Sequence, residues 1–116
     1  MIKKHTFQEL SEITENVIRE FERAEQRSWG VEGTMIELSK QLGDLAKHIM
    51  VSEKYYVPKR GKNPNYATTK EDIADELADI FYCIIRLAKA YDIDLEEAIL
   101  KARKSELLYL GKKPNF

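Results

Sequence analysis

The chain has 116 residues, of which 19 are basic and 20 are acidic, and its net charge is −1 at pH 7. This length suits one domain with a single hydrophobic core. The balanced charge argues against a nucleic-acid polymer or an anionic membrane as a partner, because both attract proteins with strongly basic surfaces.

The single cysteine, Cys83, has no second cysteine with which to form an intramolecular disulfide, as is typical of a reducing compartment. No apolar segment of a secretory signal follows the first residues, and no run of about 18 apolar residues predicts a membrane-spanning helix. We therefore expect a cytoplasmic protein with no membrane partner.

The first half of the chain predicts two helices. Thr6 and Glu9 have the spacing of a capping box, and apolar residues follow at intervals of three and four, so the first helix is expected over residues 6–29 with a stop at Gly30. The second helix is expected over residues 34–51, opening at Thr34. Its apolar seam, predicted to lie in the core, comprises Met35, Leu38, Leu42, Leu45 and Ile49.

Residues 52–68 predict a loop, because they contain two prolines and show no helical periodicity. Lys59, Arg60 and Lys62 lie there among tyrosines. Cations and aromatic rings of this kind suit a phosphorylated ligand that carries a base. A flexible basic connector is an equally good interpretation of the same residues.

The second half of the chain predicts a third helix over residues 69–91, a fourth over 94–110, and a loose tail over 112–116. With no convincing strand, the fold class is an all-α four-helix bundle. The third helix is expected to bury one broad apolar face, formed by Ile73, Leu77, Ile80, Phe81, Ile84, Leu87, Ala88 and Tyr91.

Two polar edges run beside these apolar seams. Asp72, Glu76 and Asp79 form one edge on the third helix, where like charges at spacings of three and four repel unless a cation lies between them. The second helix carries the other edge, and antiparallel packing would bring the two together at mid-bundle. The residues of that second edge are Glu37, Gln41, Asp44 and His48. Carboxylates favour Mg²⁺, or Mn²⁺ in its place, over Zn²⁺, so the two edges together predict a magnesium site. The alternative interpretation of the same residues is a solvated acidic surface that binds no metal.

At these residues the sequence resembles the MazG-type all-α nucleoside triphosphate pyrophosphohydrolases. The resemblance spans residues 27–103 and rests on Met35–Ala46 and Asp75–Ile80, which correspond to the family motifs E-E-x-x-E and E-x-x-D. It implies Mg²⁺ bound at Gln41, Asp44, Glu76 and Asp79, and water attack between the α and β phosphates. The products would be a nucleoside monophosphate and pyrophosphate, and the role that the resemblance implies is the clearing of non-standard nucleotides.

The match departs from the family pattern where Lys40 and Gln41 replace the two leading glutamates, which lowers the expected affinity for the metal. Glu37 or Asp72 is expected to move in as a substitute ligand. Glu37 or Glu76 is the expected base that takes a proton from the attacking water.

Further substrate contacts are expected from three other places. Trp29 follows Arg27 as in superfamily members that act on deoxycytidine nucleotides, although it also suits a plug at the end of the first helix. His48 is placed to touch phosphate, with a structural role as the alternative. The basic loop residues Lys59, Arg60 and Lys62 complete the predicted substrate contacts.

Three interpretations of function therefore stand. The preferred one is a Mg²⁺-dependent hydrolase of nucleoside triphosphates. A phosphoribosyl-ATP-type pyrophosphohydrolase is the enzymatic alternative, and a binding protein with an impaired metal site is the alternative from another class. A homodimer or homotetramer is expected, because the apolar faces are broad for one small bundle and the family assembles in this way.

Overall fold

The computed structural model describes residues 4–116, and within them the fold is all-α, as predicted. The helices are α1 (Phe7–Glu25), α2 (Gly30–Ser52), the short α3 (Pro58–Gly61), α4 (Lys70–Ala90) and α5 (Leu95–Tyr109). A 3-10 turn, Pro64–Tyr66, lies between α3 and α4. None of the helices in the described part of the chain is long and apolar enough to cross a membrane.

The helix starts follow from side chains that satisfy the free backbone N–H groups of the first turn. Thr6 and Glu9 form the predicted capping box, with each side chain accepting a hydrogen bond from the other residue's backbone N–H at 3.1 Å. Thr69 and Asp72 make the same reciprocal pair at the start of α4. Asp94 Oδ1 accepts the Glu97 N–H at 3.0 Å and caps α5.

The junction between α1 and α2 differs from the prediction. α1 ends at Glu25, before the expected Trp29, because Gln26 adopts a left-handed conformation with φ 54°. α2 begins at Gly30, where φ is 67°, with Trp29 as its N-cap residue. Thr34 therefore lies inside α2 and not at its start, and its hydroxyl donates to the Gly30 carbonyl at 2.6 Å.

The chain divides into two compact units. One comprises the described residues up to Arg27 together with Ile85–Phe116, and it buries Ile18, Ile85 and Ala88. At the start of its C-terminal tail, the Lys112 N–H donates a hydrogen bond to the Leu107 carbonyl of α5, and residues 112–116 have no regular secondary structure. The other unit, Ser28–Ile84, contains α2, the connecting segment and most of α4.

The single chain buries only part of the predicted apolar faces, since Ala88 of α4 is buried but the other members are half-buried or exposed. In the unit Ser28–Ile84 the most deeply buried residues are Thr34, Gln41 and Cys83, whereas Leu77 of α4 remains 54 % exposed. Along α2, the seam residues Met35, Leu42 and Ile49 are exposed as well. Periodicity identified the apolar faces correctly, but it does not distinguish a face that packs within the chain from one left open to another surface.

Candidate active site

Glu76, on α4, is the centre of the candidate site. Its side chain is only 16 % exposed, and its Oε1 lies 4.0 Å from His48 Nε2 on α2. The other carboxylate oxygen, Oε2, is buried and accepts no hydrogen bond from any described residue. A buried carboxylate oxygen normally has a donor or a cation beside it, so this atom indicates a place for a ligand.

The surroundings of Glu76 raise its pKa above the ordinary carboxyl value. Burial is the largest cause, and the negative charges of Asp44 and Asp79 add to it. The opposing positive contributions of His48 and Lys40 are smaller. Carboxylates from the two predicted polar edges therefore lie within electrostatic reach of one buried carboxyl group.

His48 is oriented by a residue that the sequence did not reveal. Its Nδ1 lies 2.8 Å from the Thr68 hydroxyl, at hydrogen-bond distance, and its Nε2 faces Glu76. Thr68 immediately precedes the cap residue Thr69, so its side chain is held at the start of α4. Residues 48 and 68 do not lie on one helix, so the periodicity of the sequence could not predict this contact.

The polar edge of α2 is internally paired. Gln41, a buried residue, donates from Nε2 to Glu37 Oε1 at 2.9 Å, which keeps its carbonyl oxygen available as a metal ligand. Lys40 Nζ lies 3.8 Å from Glu37 Oε1 and 3.7 Å from Asp44 Oδ2. Asp72, suggested as a substitute ligand, instead uses its carboxylate to cap α4.

The donor set suits a hard divalent cation. The buried Oε2 of Glu76 and the repulsion from Asp44 and Asp79 would both be relieved by Mg²⁺, which prefers oxygen ligands. No described group of three or more His, Cys, Asp or Glu side chains is already arranged around a common ion position. Side-chain rotation would have to complete such a site, with Gln41 supplying a neutral oxygen.

The segment between α2 and α4 is more ordered than the predicted loop. Tyr56 and Tyr66 meet edge to face with their ring centroids 5.3 Å apart, and the Arg60 guanidinium lies 4.9 Å from the centroid of Tyr56. Lys47 of α2 contacts the Tyr66 ring at 4.6 Å. Arg60 is therefore held on aromatic rings, whereas Lys59 and Lys62 are simply exposed.

A small cavity of about 110 Å³ connects this aromatic cluster with the polar edge of α2. Asp44, Lys47, His48 and Tyr66 are among its lining residues. Lys47 and Tyr66 were not predicted as site residues, although Lys47 lies one turn from Asp44 on α2. The structure thus places one cation and one aromatic ring beside predicted ligand residues.

Trp29 occupies a structural position at the start of α2. It is half-buried, and a Cβ atom added to Gly33 would lie 2.8 Å from Trp29 Cβ. The glycine therefore lets the tryptophan pack against the first turn of the helix. This packing is compatible with the structural role that the sequence offered for Trp29 as an alternative to substrate binding.

An all-α chain in which a buried carboxyl oxygen lies within electrostatic reach of two further carboxylates has features that suit a helical phosphoanhydride hydrolase. The family model for phosphoribosyl-ATP pyrophosphohydrolase matches residues 2–106. This chain belongs to that family, and the predicted resemblance to MazG-like all-α pyrophosphohydrolases is confirmed. The family consists of pyrophosphohydrolases, which are hydrolases that act on phosphoanhydrides. No curated protein matches the chain.

Proposed function

We propose that this protein is a Mg²⁺-dependent pyrophosphohydrolase that cleaves the α–β phosphoanhydride of a nucleoside triphosphate, giving a nucleoside monophosphate and pyrophosphate. The observation that carries the proposal is the buried Glu76 carboxylate, whose Oε2 has no hydrogen-bond donor among the described residues and whose pKa is raised by burial and, to a smaller extent, by Asp44 and Asp79. The family match supports the reaction class.

The metal would be held by Gln41, Asp44, Glu76 and Asp79, the residues that correspond to the family motifs. When bound, Mg²⁺ would polarise the phosphoryl oxygens and lower the pKa of a coordinated water. Mn²⁺ is expected to substitute for it.

The protein's own residues would hold the water and move its proton. Glu37 is one proposed base, and the Gln41 amide, which donates to its Oε1, would fix the orientation of the carboxylate. Glu76 is the alternative base. His48, oriented by Thr68, would hold Glu76 or a phosphate oxygen through Nε2.

The substrate would be held by residues of the cavity beside Asp44 and of the connecting segment. Lys47 and Tyr66 line the cavity beside Asp44, so they are candidates for phosphate and base. The predicted phosphate contacts Lys59 and Arg60 lie in the short helix α3, and Lys62 directly follows it. Trp29, at the start of α2, is the residue proposed to stack on the base. A dimer or tetramer and a cytoplasmic location remain predictions.

A second candidate substrate is phosphoribosyl-ATP, because the family to which the chain belongs is that of the phosphoribosyl-ATP pyrophosphohydrolases. Its cleavage uses the same chemistry, because it too carries a triphosphate whose α–β bond is broken with release of pyrophosphate. The two substrates differ in the group attached to the base, so they place different demands on the binding surface and the same demand on Glu76.

Pyrophosphate release from ribo- and deoxyribonucleoside triphosphates and from phosphoribosyl-ATP, with Mg²⁺ or Mn²⁺, tests the proposal. We expect release from at least one substrate and a loss of at least about 100-fold in Glu76→Gln. Glu106→Gln, an equivalent change on α5 that breaks only an exposed pair with Arg103, should retain activity.

Absence of release from every substrate in a folded protein would contradict the proposal. A rise in melting temperature on adding Mg²⁺ and nucleotide would then favour the binding protein considered from the sequence, because a ligand that prefers the folded state stabilises it by mass action.

A further inference from the structure

Lys40 lies beside the polar edge of α2, at a position where the family motif has a glutamate. Its Nζ is 3.8 Å from Glu37 Oε1, one turn earlier, and 3.7 Å from Asp44 Oδ2, one turn later. These are ion pairs longer than direct hydrogen bonds. One ammonium group therefore pairs with Asp44, a proposed metal ligand, and with Glu37, a proposed base.

The pairing is also easily broken. The Lys40 side chain is 62 % exposed, and exposed ion pairs of this length stabilise a protein little because water and salt screen them. A lysine side chain has a flexible four-carbon stem and three donors that can reorient. Lys40 can therefore leave Glu37 and Asp44 at small cost when a stronger anion arrives.

We propose that Lys40 is an internal counter-ion of the active site, which competes with the divalent cation for Glu37 and Asp44 in the free protein and turns to the phosphate oxygens when substrate binds. This inference rests on the proposed function and adds a regulation of cation entry to it. The contacts with Glu37 and Asp44 show that the ammonium group reaches both carboxylates in the free protein.

The order of binding follows from the two positions of the ammonium group. In the free protein, its charge beside Asp44 opposes the approach of a second cation to the same carboxylate. A phosphoanhydride offers Lys40 several charged oxygens, and phosphate is a common partner of lysine. Departure of Lys40 would expose Asp44, so the cation is expected to bind tightly only together with the anion.

Lys40→Met tests the inference, since methionine keeps the length of the stem and removes the charge. Mn²⁺ binding to the free protein is measured by the electron paramagnetic resonance signal of unbound Mn²⁺, and pyrophosphate binding without metal is measured by calorimetry. We expect Mn²⁺ affinity to rise by about two- to fivefold and metal-free pyrophosphate affinity to fall by a similar factor. Opposite shifts cannot arise from a general loss of structure.

Two further variants make the comparison specific. Lys40→Arg retains the charge and should keep both affinities near those of the wild type. Lys101→Met removes an exposed lysine from α5 and should also leave both unchanged, although it alters the net charge of the protein equally. Unchanged or weaker Mn²⁺ binding in Lys40→Met would overturn the inference.

The inference and the proposed function fail in distinguishable ways. Pyrophosphate release from a triphosphate by the wild type, with no shift in either affinity in Lys40→Met, would overturn only the role of Lys40. If the wild type and Lys40→Met bind no Mn²⁺ and neither releases pyrophosphate, both the role of Lys40 and the proposed function are overturned.

Discussion

The ionised carboxylate of Glu76 is expected to lower the stability of the metal-free protein, although the proposed reaction requires it. The effect on stability depends on pH, because only the ionised form is destabilising. Because folding raises its pKa, ionising this carboxyl group costs more free energy in the folded than in the unfolded chain. Its contribution to stability is present below the unfolded pKa and is lost as the pH rises through the folded pKa. We expect metal-free Glu76→Gln to melt a few degrees higher than the wild type at about pH 8, and at the same temperature near about pH 4.

Mg²⁺ should reverse the order of the two melting temperatures at high pH, since the wild-type carboxylate then gains a cation that glutamine binds less well. Glu106→Gln is the matched control, because its carboxylate is exposed and pairs with Arg103. A lower melting temperature for metal-free Glu76→Gln at about pH 8 would show that the carboxylate is already stabilised by a group other than a metal.

Thr68 and Thr69 are adjacent residues with separable roles. Thr68→Val removes the hydroxyl 2.8 Å from His48 Nδ1, so His48 should lose its orientation towards Glu76. We expect about 1 kcal/mol of lost stability and a reduced rate of pyrophosphate release. Thr69→Val removes the cap of α4 and should cost a similar free energy.

The two threonine variants are compared by steady-state kinetics at a temperature where both are folded. Thr69→Val controls for lost stability, because its hydroxyl contacts the backbone of Asp72 and not His48. Equal rates for the two variants would mean that the Thr68 contact has no part in the reaction.

Two glycines of α2 show how one element can use the same residue type differently. Alanine is favoured over glycine inside a helix by about 1 kcal/mol, and a Cβ atom at Gly43 would meet nothing within 4 Å. At Gly33 the added Cβ atom would lie 2.8 Å from Trp29 Cβ, and the base of a side chain cannot move without moving its backbone.

We therefore expect Gly43→Ala to raise the free energy of unfolding by about 0.5–1 kcal/mol and Gly33→Ala to lower it or leave it unchanged. Trp29 is the single tryptophan in the chain, so its fluorescence reports directly on this helix start. Gly33→Ala should shift the emission to longer wavelength, whereas Gly43→Ala should not. An unchanged spectrum and higher stability in Gly33→Ala would contradict the packing described here.

Local signals predicted the elements better than their junctions. The Thr6–Glu9 and Asp94–Glu97 spacings identified helix starts because capping contacts link residues three positions apart. The break between α1 and α2 depends on the left-handed conformation of Gln26, a residue type with no special tendency for it. The helix end could therefore not be predicted from the composition of the segment.

The same distinction holds for the candidate site. Glu76, Asp44 and His48 were predictable because helical spacing places polar residues along an edge, and the structure brings these three into mutual electrostatic range. Thr68 and Tyr66 come from the connecting segment, where no period relates a residue to its neighbours in space. Their positions depend on the path of the chain between α2 and α4.

At the scale of the whole molecule, the exposed apolar residues require an explanation. On α1, Leu10, Ile13, Val17 and Phe21 follow one another at spacings of three and four, and each is at least 40 % exposed. They form a continuous stripe on one face of the helix. A stripe of this length left in water is unusual for a protein that functions as a monomer, so it supports the predicted association of several copies.

Val17→Lys tests whether this face of α1 is covered by a second copy. A charge within an apolar interface is costly to bury, so we expect the variant to be monomeric when the wild type is a dimer or tetramer, as measured by light scattering during gel filtration. Asn16→Lys adds the same charge at the neighbouring exposed position and should leave the oligomer intact. A monomeric wild type at micromolar concentration would contradict the prediction, and dissociation by both variants would attribute the effect to charge rather than to the apolar face.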